Sequence, residues 1–215
     1  MDTIKKIIIY GDSISTTEYG GGGYEAYLRE RFDAEVINYS VSASGLSLGT
    51  PNNTLSILEK DKNLHADADI IILWHGTNEW YWGSEIGRLG SKDRNTFLGA
   101  LDRAVERIRE KSPDAVLFML TPIYRYQAPD ECAHAGRAYE TANKAGYTLM
   151  DYYNAIREAS VYYGFPLIDT RVLAGIHEGN HEKYLKDDVH PNEEGYQRIW
   201  KVIEREIVNN PLLNA

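Results

Sequence analysis

Cysteine is almost missing from this chain: Cys132 is the single one in 215 residues. A lone thiol forms no internal disulfide, so nothing here demands an oxidising compartment. Basic residues are also short, 23 Lys and Arg against 32 Asp and Glu, a formal net charge of −9. That balance favours solubility and argues against a phosphate backbone as the main ligand, so no nucleic-acid partner is expected. Long hydrophobic runs are absent as well. No stretch approaches the ~20 apolar residues that cross a bilayer. The opening Met1-Asp2-Thr3-Ile4-Lys5-Lys6 lacks the charged, apolar and small segments of a secretory signal. No membrane partner is expected, and the expected location is the cytoplasm. There is no internal repeat, linker or low-complexity stretch, and nothing that fixes the oligomeric state.

What is present is a chain of the right size for one domain over residues 1–215, with enough length to bury a full core. Five short apolar runs read as strands: 6–10, 35–39, 70–74, 116–120 and 167–169. They are continuous rather than alternating, as expected for strands buried on both faces. Between them lie stripes at helical spacing. Phe97, Leu98, Leu101, Val105 and Ile108 make one. Leu149, Tyr152, Tyr153 and Ile156 make a second, with Thr148 and Asp151 spaced as a capping box. Tyr196, Ile199, Trp200, Ile203 and Ile207 make a third, and a weaker helix covers residues 24–32. Strand–helix alternation implies an α/β fold, a five-stranded parallel sheet covered on both sides. Ligands in such sheets sit beyond the carboxyl ends of the strands. The run Gly20 to Gly23 reads either as a flexible loop or as a close-approach turn. It is not a phosphate loop, since no Gly-Lys-Ser/Thr follows.

Four segments carry chemistry. Gly11-Asp12-Ser13-Ile14-Ser15 follows the first strand directly. A serine in a tight turn is exposed, and becomes a nucleophile once a base accepts its proton; the alternative is that Asp12 and Ser13 only cap a turn. Asp187-Asp188-Val189-His190-Pro191-Asn192 precedes the last helix. A carboxylate three residues before a histidine can bind its Nδ1 and leave Nε2 free as a base. Asp187 suits that role better than Asp188, because adjacent side chains diverge; the bland reading is a solvated acidic turn. Asn78, in Trp74-His75-Gly76-Thr77-Asn78-Glu79-Trp80 after the third strand, offers an amide to a developing oxyanion or else stabilises its own loop. Gly45, after the second strand, offers a backbone N–H.

In this order the four segments resemble the blocks of the SGNH (GDSL-type) hydrolase family. Ile14 stands where leucine is usual in the first block, and Glu79 where aspartate is usual in the third; Gly45 matches the second block and Asp187-x-x-His190 the last. The resemblance implies a flavodoxin-like three-layer α/β/α sandwich. It implies Ser13 as nucleophile, His190 as base and Asp187 as its orienter. Ser13 and Gly45 backbone N–H groups and the Asn78 amide would form an oxyanion hole, and no metal or cofactor is required. The reaction expected is hydrolysis of short acyl esters, chiefly acetyl, by a serine esterase. Carbohydrate esters come first as substrate, because sixteen tyrosines against four phenylalanines favour surfaces with polar tips. A lysophospholipase or thioesterase on the same site is second. A catalytically silent binding module is the reading from another class.

Two further features need placing. His177-Glu178-Gly179-Asn180-His181 matches H-E-x-x-H, the zinc-hydrolase pattern, which needs a helix so that both histidines share one face. Gly179 and Asn180 together cost roughly 1.5 kcal/mol of helix propensity, so a polar loop is expected instead. Trp80, Tyr81 and Trp82 follow the Asn78 loop, and Tyr124 and Tyr126 follow the fourth strand. Rings there can wall an acyl pocket or stack on a sugar, with Trp80, Trp82 and Tyr124 as the substrate-binding candidates; the alternative is ordinary core.

Overall fold

Successive side chains of a strand point to opposite faces, and in β1 (Lys6–Gly11) both faces are buried. Ile8 and Tyr10 join one apolar cluster; Ile7 and Ile9 join the other. The same division runs through β3 (Ile70–Trp74) and β4 (Val116–Leu120). Ile71, Leu73, Leu117 and Met119 face one way, and Ile70, Ile72, Val116 and Phe118 the other. Burial on two sides is why these strands are unbroken apolar runs. The computed structural model describes residues 4–214. In it, β2 (Glu35–Asn38) and β7 (Leu167–Ile168) complete a parallel sheet in the order β2-β1-β3-β4-β7. A small antiparallel ribbon, β5 (Tyr126–Gln127) with β6 (Gly136–Arg137), stands apart from it. Its strands are two residues each, too short for any periodicity to mark.

Helices cover both faces, giving the three-layer α/β/α sandwich. On one side pack α2 (Leu55–Leu58), α4 (Phe97–Lys111) and α5 (Leu149–Tyr163). On the other pack α1 (Gly23–Phe32) and α8 (Glu193–Val208). Three shorter helices, α3 (Thr77–Trp82), α6 (Thr170–Leu173) and α7 (His181–Tyr184), lie in the loops. Caps set where the long helices begin. The Asp151 carboxylate accepts the Thr148 N–H at 2.7 Å and the Thr148 hydroxyl at 2.8 Å at the start of α5. Asn192 Oδ1 accepts the Gly195 N–H at 3.0 Å at the start of α8. Among the described residues no helix is long and apolar enough to cross a membrane.

The chain leaves β1 for β2 on one side, then crosses to β3 on the other. The carboxyl ends of β1 and β3 therefore flank a topological switch point, the place where open α/β sheets leave a crevice.

The glycine run is a close-approach turn. All four residues, Gly20 to Gly23, have positive φ. A Cβ on Gly20 would sit 2.1 Å from Tyr196 Cδ2, and one on Gly23 2.8 Å from the Thr16 carbonyl, whereas one on Gly21 would meet nothing within 4 Å. Two substitutions separate conformation from crowding. Gly21→Ala should cost about 1–2 kcal/mol, the penalty of a left-handed backbone alone. Gly20→Ala should cost about 1–3 kcal/mol more, because the methyl must displace the buried Tyr196 ring. Urea unfolding of the two variants measures the difference, and equal midpoints would contradict the close approach.

Candidate active site

Ser13 opens a 3₁₀ turn, Ser13–Ser15, immediately after β1. Three buried side chains hold that turn. Asp12 Oδ1 accepts the Ile14 N–H at 2.9 Å, the Tyr196 hydroxyl donates to the Ile14 carbonyl at 2.7 Å, and the Tyr24 hydroxyl donates to Ser15 Oγ at 2.9 Å. Ser13 itself is 7% exposed. Its Oγ lies 2.8 Å from His190 Nε2. His190 Nδ1 lies 2.8 Å from Asp187 Oδ2, and Asp187 Oδ1 accepts the His190 backbone N–H at 2.8 Å. Serine, imidazole and carboxylate thus form one unbroken chain. Burial pushes the Asp187 carboxyl up, but the hydrogen bonds from His190 outweigh it and hold the group below its ordinary range. It stays ionised into acid, available to orient the ring and to face an imidazolium.

The loop that presents His190 is closed on itself. Lys186 N–H donates to the His190 carbonyl at 2.7 Å, and Leu185 bridges to Pro191. Asp188 takes a left-handed backbone, φ 65°. That twist sends the adjacent carboxylates apart: Asp187 serves His190, while Asp188 Oδ1 meets His181 Nδ1 at 2.8 Å. Tyr19, delivered by the segment before the glycine turn, stacks on the His190 ring with centroids 4.2 Å apart and planes 6° from parallel.

Asn78 is the second residue of α3. One Nδ2 hydrogen goes to the Ser44 carbonyl at 2.8 Å, which leaves the other for a ligand. The Gly45 and Ser13 N–H groups meet no acceptor among the described residues. A cavity of about 430 Å³ opens over Ser13, Asn78 and His190, lined further by Ala43, Tyr19, Tyr81, Trp82, Arg125 and Gln127. Gly45 lies behind Ala43 in the chain and does not line it.

Of the aromatic residues singled out in the sequence, Tyr81 and Trp82 line this cavity, and Trp80, Tyr124 and Tyr126 do not. Trp80 is 1% exposed in the core, its indole N–H donating to the Thr141 carbonyl at 2.8 Å. Tyr124 is buried beside the His181 ring, centroids 5.1 Å apart. The H-E-x-x-H segment is not a helix. Asn180 Oδ1 accepts the His177 N–H, His177 Nδ1 accepts the Gly179 N–H at 3.1 Å, Glu178 pairs with Arg137, and α7 begins only at His181. His177 and His181 therefore do not share a helix face as zinc binding by that pattern requires.

Arg125 escaped the sequence reading. Its guanidinium is buried, with Nη1 donating to Thr77 Oγ1 at 3.1 Å and Nη2 to Gln127 Oε1 at 2.6 Å. It lies 4.8 Å from the Tyr81 ring centroid. Burial lowers its pKa to about 10, so it remains a cation at neutral pH. Gln127 Nε2 in turn donates to Asp130 Oδ2 at 2.8 Å, as does the Tyr81 hydroxyl at 2.9 Å. Nothing in the local pattern of Tyr124-Arg125-Tyr126 distinguishes this arginine from a surface one; Tyr19 was equally unmarked.

Asp12 carries the clearest pH signature. Burial raises its carboxyl to about 7, against roughly 3.9 for an exposed aspartate. Between those two values the folded state holds a proton that the unfolded state has released, so stability contributed by this group is lost as pH rises through the folded value. Asp12→Asn keeps an acceptor for Ile14 and removes the titration. Urea unfolding from pH 4 to 8 should show stability falling with pH in wild type relative to Asp12→Asn; parallel curves would contradict the buried carboxyl.

Residues 9–198 match the model of the GDSL-like Lipase/Acylhydrolase family. No curated protein matches the sequence. Among solved structures, a protein from Lactobacillus plantarum is similar at TM-score 0.84 and 22% identity, over 98% of this chain and 99% of that one. A possible lipase from Chitinophaga pinensis is similar at TM-score 0.74 and 19% identity, over 96% and 99%. An acetyl xylan esterase is similar at TM-score 0.67 and 20% identity, over 94% and 99%. Likeness at these identities is a likeness of fold, and the family match spans most of the chain: it belongs to the GDSL-like lipase/acylhydrolase family, hydrolases of ester bonds.

Proposed function

We propose that this protein is a serine esterase that removes short acyl groups, chiefly acetyl, from a polar alcohol, with O-acetylated carbohydrate as the first substrate class. The observation that carries the reading is the hydrogen-bonded chain from Ser13 Oγ through His190 to Asp187, 2.8 Å at each link, on the floor of an open cavity.

His190 Nε2 takes the Ser13 proton as Oγ attacks the ester carbonyl. The tetrahedral oxyanion is met by the Ser13 and Gly45 N–H groups and by the free Nδ2 hydrogen of Asn78. His190 returns the proton to the departing alcohol. Water then attacks the acyl-serine, with the same imidazole acting as base, and releases the acid. No step calls for a metal or an organic cofactor.

The cavity walls support the short chain and the polar alcohol. A lipid tail needs a long apolar channel, whereas this cavity holds about 430 Å³ and presents Tyr19, Tyr81 and Trp82 beside Ser42, Gln127 and Asp130. Aromatic faces interleaved with planar hydrogen-bonding groups suit a sugar ring. The structural likeness to an acetyl xylan esterase is in keeping with that choice. We propose further that the chain works as one domain in the cytoplasm, on small-molecule or glycan esters, without nucleic-acid or membrane partners. The exposed free thiol of Cys132 fits a reducing compartment.

Three measurements test the reading. Ser13→Ala should reduce p-nitrophenyl acetate hydrolysis to background, and retained turnover would refute the nucleophile. Asn78→Ala should lower kcat on the order of 10²–10³. Across p-nitrophenyl esters from acetate to decanoate, kcat/KM should be highest at acetate and fall with length, and acetylated xylo-oligosaccharides should be turned over; a maximum at decanoate would favour a lysophospholipase.

A further inference from the structure

Glu79 stands where the family's third block usually has aspartate, and the reason lies in what its side chain spans. The residue is fully buried. Its Oε1 accepts the Leu46 N–H and its Oε2 accepts the Gly76 N–H at 2.9 Å. Leu46 is the neighbour of Gly45, and Gly76 starts the turn that carries Asn78. A Cβ on Gly45 would come within 2.6 Å of Glu79 Oε1, so the carboxylate lies directly against the Gly45 residue, whose N–H meets no acceptor among the described residues.

Other residues of α3 reach the same loop. Asn78 Nδ2 donates to the Ser44 carbonyl, and Trp82 Nε1 donates to the Ala43 carbonyl at 2.9 Å. Ala43 is held in a left-handed backbone, φ 60°, a conformation that persists only where its surroundings impose it. Those two side chains grip carbonyls of the 43–46 segment. Glu79 alone takes N–H groups from both sides, joining the Gly45 segment to the base of α3.

We propose that Glu79 is a positioning residue for the oxyanion hole: one carboxylate clamps two loops and so sets the separation between the Gly45 N–H and the Asn78 amide. The proposal rests on the ester-hydrolase reading of this site. Glu79 touches neither substrate nor the reacting atoms. Its effect is geometric, and geometry matters here because a displacement of about 1 Å in a catalytic group can cost about 10²-fold in rate. Aspartate would shorten the reach by about one carbon–carbon bond, ~1.5 Å, and could not hold both N–H groups with the loops where they stand.

The test compares wild type with Glu79→Gln and Glu79→Asp. Glutamine keeps the shape but turns an NH₂ toward one of the two donors. Three quantities are read on p-nitrophenyl acetate and its competitors: kcat, KM, and the inhibition constant of a phenylboronic acid, whose tetrahedral adduct on Ser13 imitates the transition state. Rates are expressed per active site, counted by titration with a p-nitrophenyl phosphonate. The expected result is a fall in kcat of roughly 10- to 100-fold, with KM within about twofold of wild type. Boronate affinity should fall by the same factor as kcat, since both depend on the oxyanion donors. Glu79→Asp should show the same pattern. A role in folding alone would lower the number of active sites and leave kcat per site and boronate affinity at wild-type values, which would overturn the proposal. Unchanged values in fully folded Glu79→Gln would overturn it equally. A Ser13→Ala variant that still hydrolyses the ester would instead defeat the parent reading, so the two failures are distinct.

Discussion

Parallel pairing of β1 with β3, in register from Ile7–Ile70 to Gly11–Trp74, fixes where two loops leave the sheet. Both strands end on the same rim, about 4.8 Å apart in the hydrogen-bonding direction. The turn at Ser13 and the turn at Gly76 must therefore start side by side. Antiparallel pairing would have sent them to opposite ends of the molecule. The contents of the rim follow from this pairing. α8 packs on one face and brings the His190 loop over Ser13, with the Tyr196 hydroxyl reaching back to Ile14. α3 grows from the end of β3 and closes on the loop that follows β2.

The rim is unusual in the amount of polarity it buries. Asp12, Glu79 and Arg125 are all shielded from water, and each would be costly without partners. Each finds them in the backbone, a hydroxyl or a neighbouring amide: Asp12 in the Ile14 N–H, Glu79 in two loop N–H groups, Arg125 in the Thr77 hydroxyl and the Gln127 amide oxygen. Such a network is rigid because most of its polar atoms are already committed; the Arg125 Nε hydrogen has no partner among the described residues. A rigid rim is what a charge-stabilising site needs, since donors that do not move have nothing to reorganise when the oxyanion forms.

Much of this was legible in the sequence, for identifiable reasons. The central strands β1, β3 and β4 are buried on two sides, so they announce themselves as apolar runs, and the observed limits of all five strands differ by a residue at most. The long amphipathic helices begin at capping residues that can be read directly. The Ser13, Asn78 and Asp187–His190 segments stand out only together: each alone reads equally as a turn or loop, and their order at strand ends, which resembles one family's blocks, is what marks them. Side-chain direction in short elements was not legible. Trp80 and Trp82 look like one aromatic cluster, yet residues two apart on a helix do not share a face. Six residues of α3 are enough to turn Trp80 into the core and Trp82 toward the cavity. Tyr124 and Arg125 are similarly separated by strand-like alternation next to β5. Arg125 is an inward charge whose partners, Thr77 and Gln127, lie on elements that only the fold brings together. His181 looked like half of a metal motif and proved to be the partner of Asp188.

That last pairing has a mechanical meaning. In the proposed cycle, the His190 ring gains and loses a proton at each half-reaction, and Asp187 feels every change. The neighbouring bond between Asp188 and His181 takes no part in the proton traffic. A loop anchored only through its reacting histidine would loosen and tighten with each change of charge. Here the backbone twist at Asp188 divides the work between two carboxylates, one bearing the alternating load and one holding station. The base can therefore change its charge repeatedly while its mounting stays still.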